Sequence, residues 1–185
     1  MDQCKIGLAL FIFLVIPPVA TFMESVMVMH MHMQMPMLII AGLLMAPFFQ
    51  QRFPRFFEKW NENGLPGVLL FIIIMVYWIL PRTMDEALTL QSVEVFKFIS
   101  LPFLAGVPLR DSWKKLSVVQ KNTLIAFFTL VFIGMGLLYI LAPVQLCNNY
   151  LLIEQIALGW AFVLTALGMV IYLLYVAFVD PSEYE

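Results

Sequence analysis

Residues 27–37 read Met27-Val28-Met29-His30-Met31-His32-Met33-Gln34-Met35-Pro36-Met37, and they sit near the start of the apolar run Ser25–Phe49. About 20 apolar residues suffice for a helix to cross the hydrocarbon of a bilayer. This run carries no Asp, Glu, Lys or Arg. It reads as a membrane helix, and that reading sets the fold class. Composition agrees with it. The chain is 63% hydrophobic with a mean hydropathy of +0.95, and 12% of its 185 residues are charged. A soluble globular domain carries about twice that charge.

Five more runs have similar character: Ile6–Phe22, Leu65–Leu80, Ala87–Leu109, Thr123–Val144 and Tyr150–Val179. The expected fold class is therefore all-α. It is a polytopic membrane helical bundle of six transmembrane helices, a single integral membrane domain over residues 1–185. Pro18-Val19-Ala20 is a poor signal-peptidase site, so Ile6–Phe22 is read as a retained helix, kinked at Pro17-Pro18. The weakest run is Ala87–Leu109, because it contains Glu94 and Lys97.

Basic residues orient the bundle. Lys5, Arg52, Arg55, Lys59, Arg110, Lys114, Lys115 and Lys121 fall on one side, eight of the ten Lys and Arg, and only Arg82 lies in a loop on the other. The positive-inside rule then places both termini in the cytoplasm, in a bacterial inner membrane. The acidic tail Asp180–Glu185 weighs little in that rule. Phe53, Phe56, Phe57 and Trp60 share one helical face and Arg52, Arg55 and Lys59 another, which predicts a short interfacial helix on the cytoplasmic side. Trp113 and Leu116 beside Lys114 and Lys115 repeat the theme. Ala157, Ala161 and Thr165 predict a helix-packing face. The net charge of −2 excludes nucleic acid as a partner. Cys4 and Cys147 lie on opposite sides, so no disulfide is expected. Cys147, in an external loop, should be reachable from outside.

The orientation puts Glu24 and the methionine run at the external leaflet. Seven of the 13 methionines fall between Met23 and Met37, together with both histidines. Thioether sulfur and imidazole nitrogen suit Cu(I). Met27, His30, Met31 and Gln34 lie at i, i+3, i+4 and i+7, one face of a helix; Met29, His32, Met33 and Pro36 form a second. Residues two apart on a regular helix do not face each other, so a site using both histidines needs an unwound turn. Pro36 favours that, because it leaves the carbonyl of His32 without its usual donor. The expected metal ligands are His30, His32, Met27, Met31 and Met33, with Gln34, Glu24 and Glu154 as outer partners. Glu154 has no basic neighbour in sequence and is expected to approach the second or fourth run, beside a histidine or as counter-ion to Lys97. Glu94 and Lys97, three apart, are expected to pair with each other. The plainer alternative is that methionine fills space and the run is packing surface. No Ser/His/Asp set, phosphate loop or paired carboxylate appears, so no catalytic residues and no enzyme activity are expected.

One family resemblance follows from these residues. Glu24-Ser25, His30-Met31, Gln34, Pro36 and the apolar stretch ending Ala41-Gly42 resemble the His-Met-x-x-Gln membrane segment of the caa3-type cytochrome c oxidase assembly factor (CtaG-like) family. Met35 stands where that family carries a further histidine, and the likeness covers one helix. It implies a polytopic protein that handles copper for a copper-containing respiratory or monooxygenase enzyme. His30, Met31 and Gln34 would lie near the metal, and the partners would be the lipid bilayer and other membrane subunits or a copper-enzyme client. A second similarity, through Met27, Met31 and Met35, is to Met-x-x-x-Met copper transporters, which implies a permease. A small structural subunit, with the Met-rich helix as its interface, is the remaining alternative.

Overall fold

The computed structural model describes residues 2–179; the acidic tail Asp180–Glu185 lies outside the described residues. Of the described residues 86% are helical, and none is in a strand. Helix α1 (Asp2–Val15) meets α2 (Pro17–Glu24) at a 70° bend. The cause is local. Neither Pro17 nor Pro18 has an N–H to continue the ladder, and Ile16 before them is extended, with ψ 124°. The kink expected at Pro17-Pro18 is present.

Residues Met29–Gln34 form a π-helical turn that runs without a break into α3 (Met35–Arg52). The N–H of Met35 donates to the carbonyl of His30, a five-residue step. The turn expected to unwind at Pro36 instead widens by one residue. The widening lets the helix pass Pro36, which cannot donate to His32, without breaking. After α3 come α4 (Pro54–Trp60), α5 (Leu65–Ile79), α6 (Pro81–Thr89) and α7 (Gln91–Ile99). A second π turn, Ser100–Gly106, repeats the device in front of Pro108, at the start of α8 (Val107–Trp113). Two long helices finish the chain: α9 (Val118–Leu141), capped by Ser117 and Gln120, and α10 (Leu152–Phe178).

Among the described residues four helical stretches are long and apolar enough to cross a membrane: Met29–Arg52, Gln91–Trp113, Val118–Leu141 and Leu152–Phe178. Counting each bent pair, α1 with α2 and α4 with α5, as one span brings the number to six. The α4–α5 bend is 87°, and Gly64 at φ 79° makes the turn before α5. Within the run Leu65–Leu80, α5 alone is 15 residues. A short helix, α4, stands where the interfacial helix was expected; Phe57 is its one buried residue, and Phe53 and Phe56 are exposed, as are Arg52, Arg55 and Lys59.

Backbones touch where α3 crosses the second π turn. A Cβ on Gly42 would collide with the backbone of Pro102, and one on Gly106 with the carbonyl of Ile39. Helices α9 and α10 form a hairpin that packs mainly on itself. Gly136 meets Gly159 across it, where an added Cβ would lie 2.8–2.9 Å from the opposite carbonyl. The small-residue face expected at Ala157, Ala161 and Thr165 is therefore not the α9–α10 seam. Ala157 is exposed, and the two glycines allow a closer backbone approach than alanine does. At the end of the bundle away from the methionine run, a satisfied polar network ties α3, α5 and α8. Asp111 accepts from Gln50 and Asn61 at 2.9 and 2.7 Å and pairs with Lys115, while Asn61 accepts from Gly67 N–H.

Candidate functional site

The opposite end holds the buried charge. Glu24 closes α2, His30 and Gln34 sit on the first π turn, Lys97 projects from α7, and Tyr150 precedes α10. Lys97 is fully buried and has three acceptors: the Glu24 carboxylate, His30 Nε2 at 3.2 Å and Gln34 Oε1 at 3.3 Å. An ammonium has three N–H groups and no lone pair, so its capacity is fully used. His30 Nε2 must then carry a lone pair, which puts the imidazole proton on Nδ1. The opposite bond agrees. Tyr150 donates its O–H to the Glu24 carbonyl at 2.7 Å, so its oxygen accepts from His30 Nδ1 at 2.8 Å. The tautomer is assigned from its partners, and every bond in the chain is directional. Burial and the nearby Glu24 carboxylate push the Tyr150 hydroxyl up, so it stays protonated and able to donate.

Several expectations change here. Lys97 pairs with Glu24, 73 residues away, and not with Glu94 one turn earlier. Lys97 is buried inside the bundle, whereas Glu94 is half-exposed. Glu154 does not reach a histidine or Lys97. Its carboxylate accepts from the N–H of Leu151 at 3.0 Å, capping the first turn of α10. A free helix N-terminus offers an unpaired N–H three residues away, and that local bond wins over a reach across the bundle. Gln34 and Glu24, expected as outer partners of a metal, are acceptors for the lysine. Cys147 is 1% exposed, with its sulfur 3.8 Å from the carbonyl of Pro81, so it is not reachable from outside. Burial first, and Asp85 second, push its thiol up to about 12. Both cysteines are free.

The two histidines differ in what they have to offer. Both ring nitrogens of His30 are engaged. His32 Nε2 and the carbonyl of Ala161 each lie 3.0 Å from Thr165 Oγ1, whose single proton can go to either. When it goes to Ala161, His32 Nε2 donates to Thr165 and Nδ1 carries the lone pair. No group among the described residues bonds to that Nδ1. His32 lines a cavity of about 480 Å³ between the α9–α10 hairpin and the rest of the bundle. Met31, Met35, Met75 and Met169 line the same cavity. Met31 and Met35 are one turn apart on the wall that carries His32, and Met169 is one turn from Thr165 on the facing helix.

Of the expected ligands, the fold thus brings His32 and Met31 to the cavity. Met27 is fully buried in the core, and Met33 is 50% exposed on the outer surface. Among the described residues no three His, Cys, Asp or Glu side chains converge as a metal-binding group. Sequence reasoning missed Tyr150, Met75 and Met169, gave Thr165 only as a packing residue, and named Met35 only through the Met-x-x-x-Met similarity. Tyr150 and Thr165 are distant in the chain, and single polar residues in apolar runs are the signal that could have found them. Gln34 Nε2 is a buried donor without a partner. Its Oε1 is turned to Lys97, and that orientation leaves the amide nitrogen unpaired. No family model, curated protein or solved structure matches this chain.

Proposed function

We propose that this chain is a six-span protein of a bacterial inner membrane, with both termini in the cytoplasm, that binds and passes on Cu(I). In this reading it serves the assembly or upkeep of a copper-containing respiratory or monooxygenase enzyme and is not an enzyme itself. The observation that carries the reading is the free Nδ1 of His32 in a cavity walled by four methionines. Metal-binding imidazoles commonly donate their other N–H to an oxygen, as His32 can to Thr165. Thioether sulfur is the matching soft donor for Cu(I). His32 with Met31, Met35 and Met169 would hold the ion. His30, given as a ligand by the sequence pattern, becomes a positioning residue that keeps Lys97, Glu24 and Tyr150 in register around the π turn.

The experiment is competition for Cu(I) between the purified protein and a chromophoric chelator. His32→Ala should abolish stoichiometric binding, and Met35→Leu with Met169→Leu should weaken it at least tenfold while nearly conserving volume. His30→Gln should lower thermal stability but leave Cu(I) stoichiometry intact. Full Cu(I) affinity in His32→Ala would refute the assignment and leave the structural-subunit reading in its place.

A further inference from the structure

We infer that the greater part of the cavity is a binding site for an acyl chain of an anionic phospholipid, drawn from the leaflet on the basic side of the bundle. This does not rest on the copper reading. A volume of about 480 Å³ is an order of magnitude more than one water occupies, about 30 Å³. Water would need several polar partners apiece, and the wall supplies almost none. His32 and Thr165 lie at the external end, and the Trp78 N–H is already given to Ser100 Oγ at 2.8 Å. Between them and Trp113 the wall is Ile39, Phe71, Leu101, Leu124 and Phe128. A cavity with such walls inside a bilayer fills with hydrocarbon.

Length and charge favour a phospholipid. From Leu101 to Trp113 the lining runs twelve residues, about 18 Å at 1.5 Å each. That matches the hydrocarbon of one leaflet, half of about 30 Å. The end at Trp113 is cationic. Lys121 Nζ stands 5.5 Å from the centre of the Trp113 ring, and Arg110 and Lys114 flank it in sequence. None of these three makes an ion pair with another described residue, whereas Lys115 next to them is committed to Asp111. Free cations at a membrane surface select anionic headgroups. The headgroup would lie against Arg110, Lys114 and Lys121, with one chain rising between the hairpin and α3, α5 and α8.

Trp78 provides the test, because it is 1% exposed and lines the cavity, so bulk lipid does not touch it. Phe at Trp60, Trp113 and Trp160 leaves Trp78 as the single emitter. This protein is reconstituted in phosphatidylcholine vesicles doped with chain-brominated phosphatidylglycerol or, at the same mole fraction, chain-brominated phosphatidylcholine. Brominated phosphatidylglycerol should quench Trp78 several-fold more strongly. Gln at Arg110, Lys114 and Lys121 together should remove that excess. No quenching by either lipid, equal quenching by both, or an excess that survives the three Gln substitutions would each overturn the proposal. Native mass spectrometry of the unaltered protein gives a reading independent of substitutions: phosphatidylglycerol retained above its share of the vesicle supports the site, and no enrichment overturns it. His32→Ala separates the two proposals, since it should strip Cu(I) and leave the quenching unchanged.

Discussion

Replacing Lys97 with Met tests the buried network at its centre. The substitution keeps an unbranched apolar stem and deletes the ammonium. Three acceptors then lose their donor at once: the Glu24 carboxylate, His30 Nε2 and Gln34 Oε1. Removing one member of a buried ion pair typically costs about 3–5 kcal/mol, because the remaining charge stays desolvated. The Glu24 side chain is 13% exposed, so some water reaches it, and the lower part of that range applies. The expected loss is about 3 kcal/mol. Glu24→Gln should cost less on its own, since the lysine keeps His30 and Gln34 as acceptors. The double variant should lose clearly less than the two singles added together, with a coupling of about 2 kcal/mol, within the range seen for residues in one network. The assay is unfolding of purified protein in mild detergent by SDS titration, followed by tryptophan fluorescence. A Lys97→Met protein within 1 kcal/mol of the parent, or strict additivity with Glu24→Gln, would show that Lys97 is not held as described.

Three further outcomes are expected. Gly42→Ala should destabilise the protein by the 1–3 kcal/mol typical of overpacking or more, because the new methyl meets the Pro102 backbone and no flexible side chain can yield; Gly134→Ala, with nothing within 4 Å of its Cβ, should be neutral in the same melt, and equal effects would refute the α3 crossing. Cys147 should resist maleimide in the folded protein from pH 7 to 9, since its thiol ionises only near 12, and should react once the protein is unfolded, where a thiol titrates near 8.5; labelling of the native protein at pH 8 would contradict its burial. In a background without cysteine, Val144→Cys should be labelled by an impermeant reagent on intact cells, and Glu62→Cys only after permeabilisation; the reverse pattern would invert the proposed orientation.

Much of the architecture is legible without coordinates, for reasons that are local. The apolar run from Ser25 contains a helix long and apolar enough to cross a bilayer, and the bend at Pro17-Pro18 follows from two missing N–H groups. Polar partnerships follow other rules. Glu94 is three residues from Lys97 and Glu24 is 73 away, yet Glu24 is the counter-ion, because α2 is carried back to α7 by the whole bundle. Glu154 has no basic neighbour in sequence and finds its partner in the N–H groups of its own helix. Gly136 and Gly159 set the hairpin seam, although nothing near either glycine distinguishes it from Ala157 or Ala161.

The two histidines mark the division most clearly. The sequence by itself determined that this is a helical membrane protein with imidazole and thioether groups gathered at one end, since hydropathy and residue identity are properties of the chain alone. It gave both histidines as ligands, with His30 on one helical face beside Met27 and Met31 and His32 on a second. Only the tertiary structure decided which nitrogen is free. Lys97 and Tyr150 take both nitrogens of His30, whereas Thr165 takes one nitrogen of His32 and leaves Nδ1 without a partner among the described residues. A hydrogen can be shared with one strong acceptor at a time, and which acceptor it meets depends on where other helices place theirs.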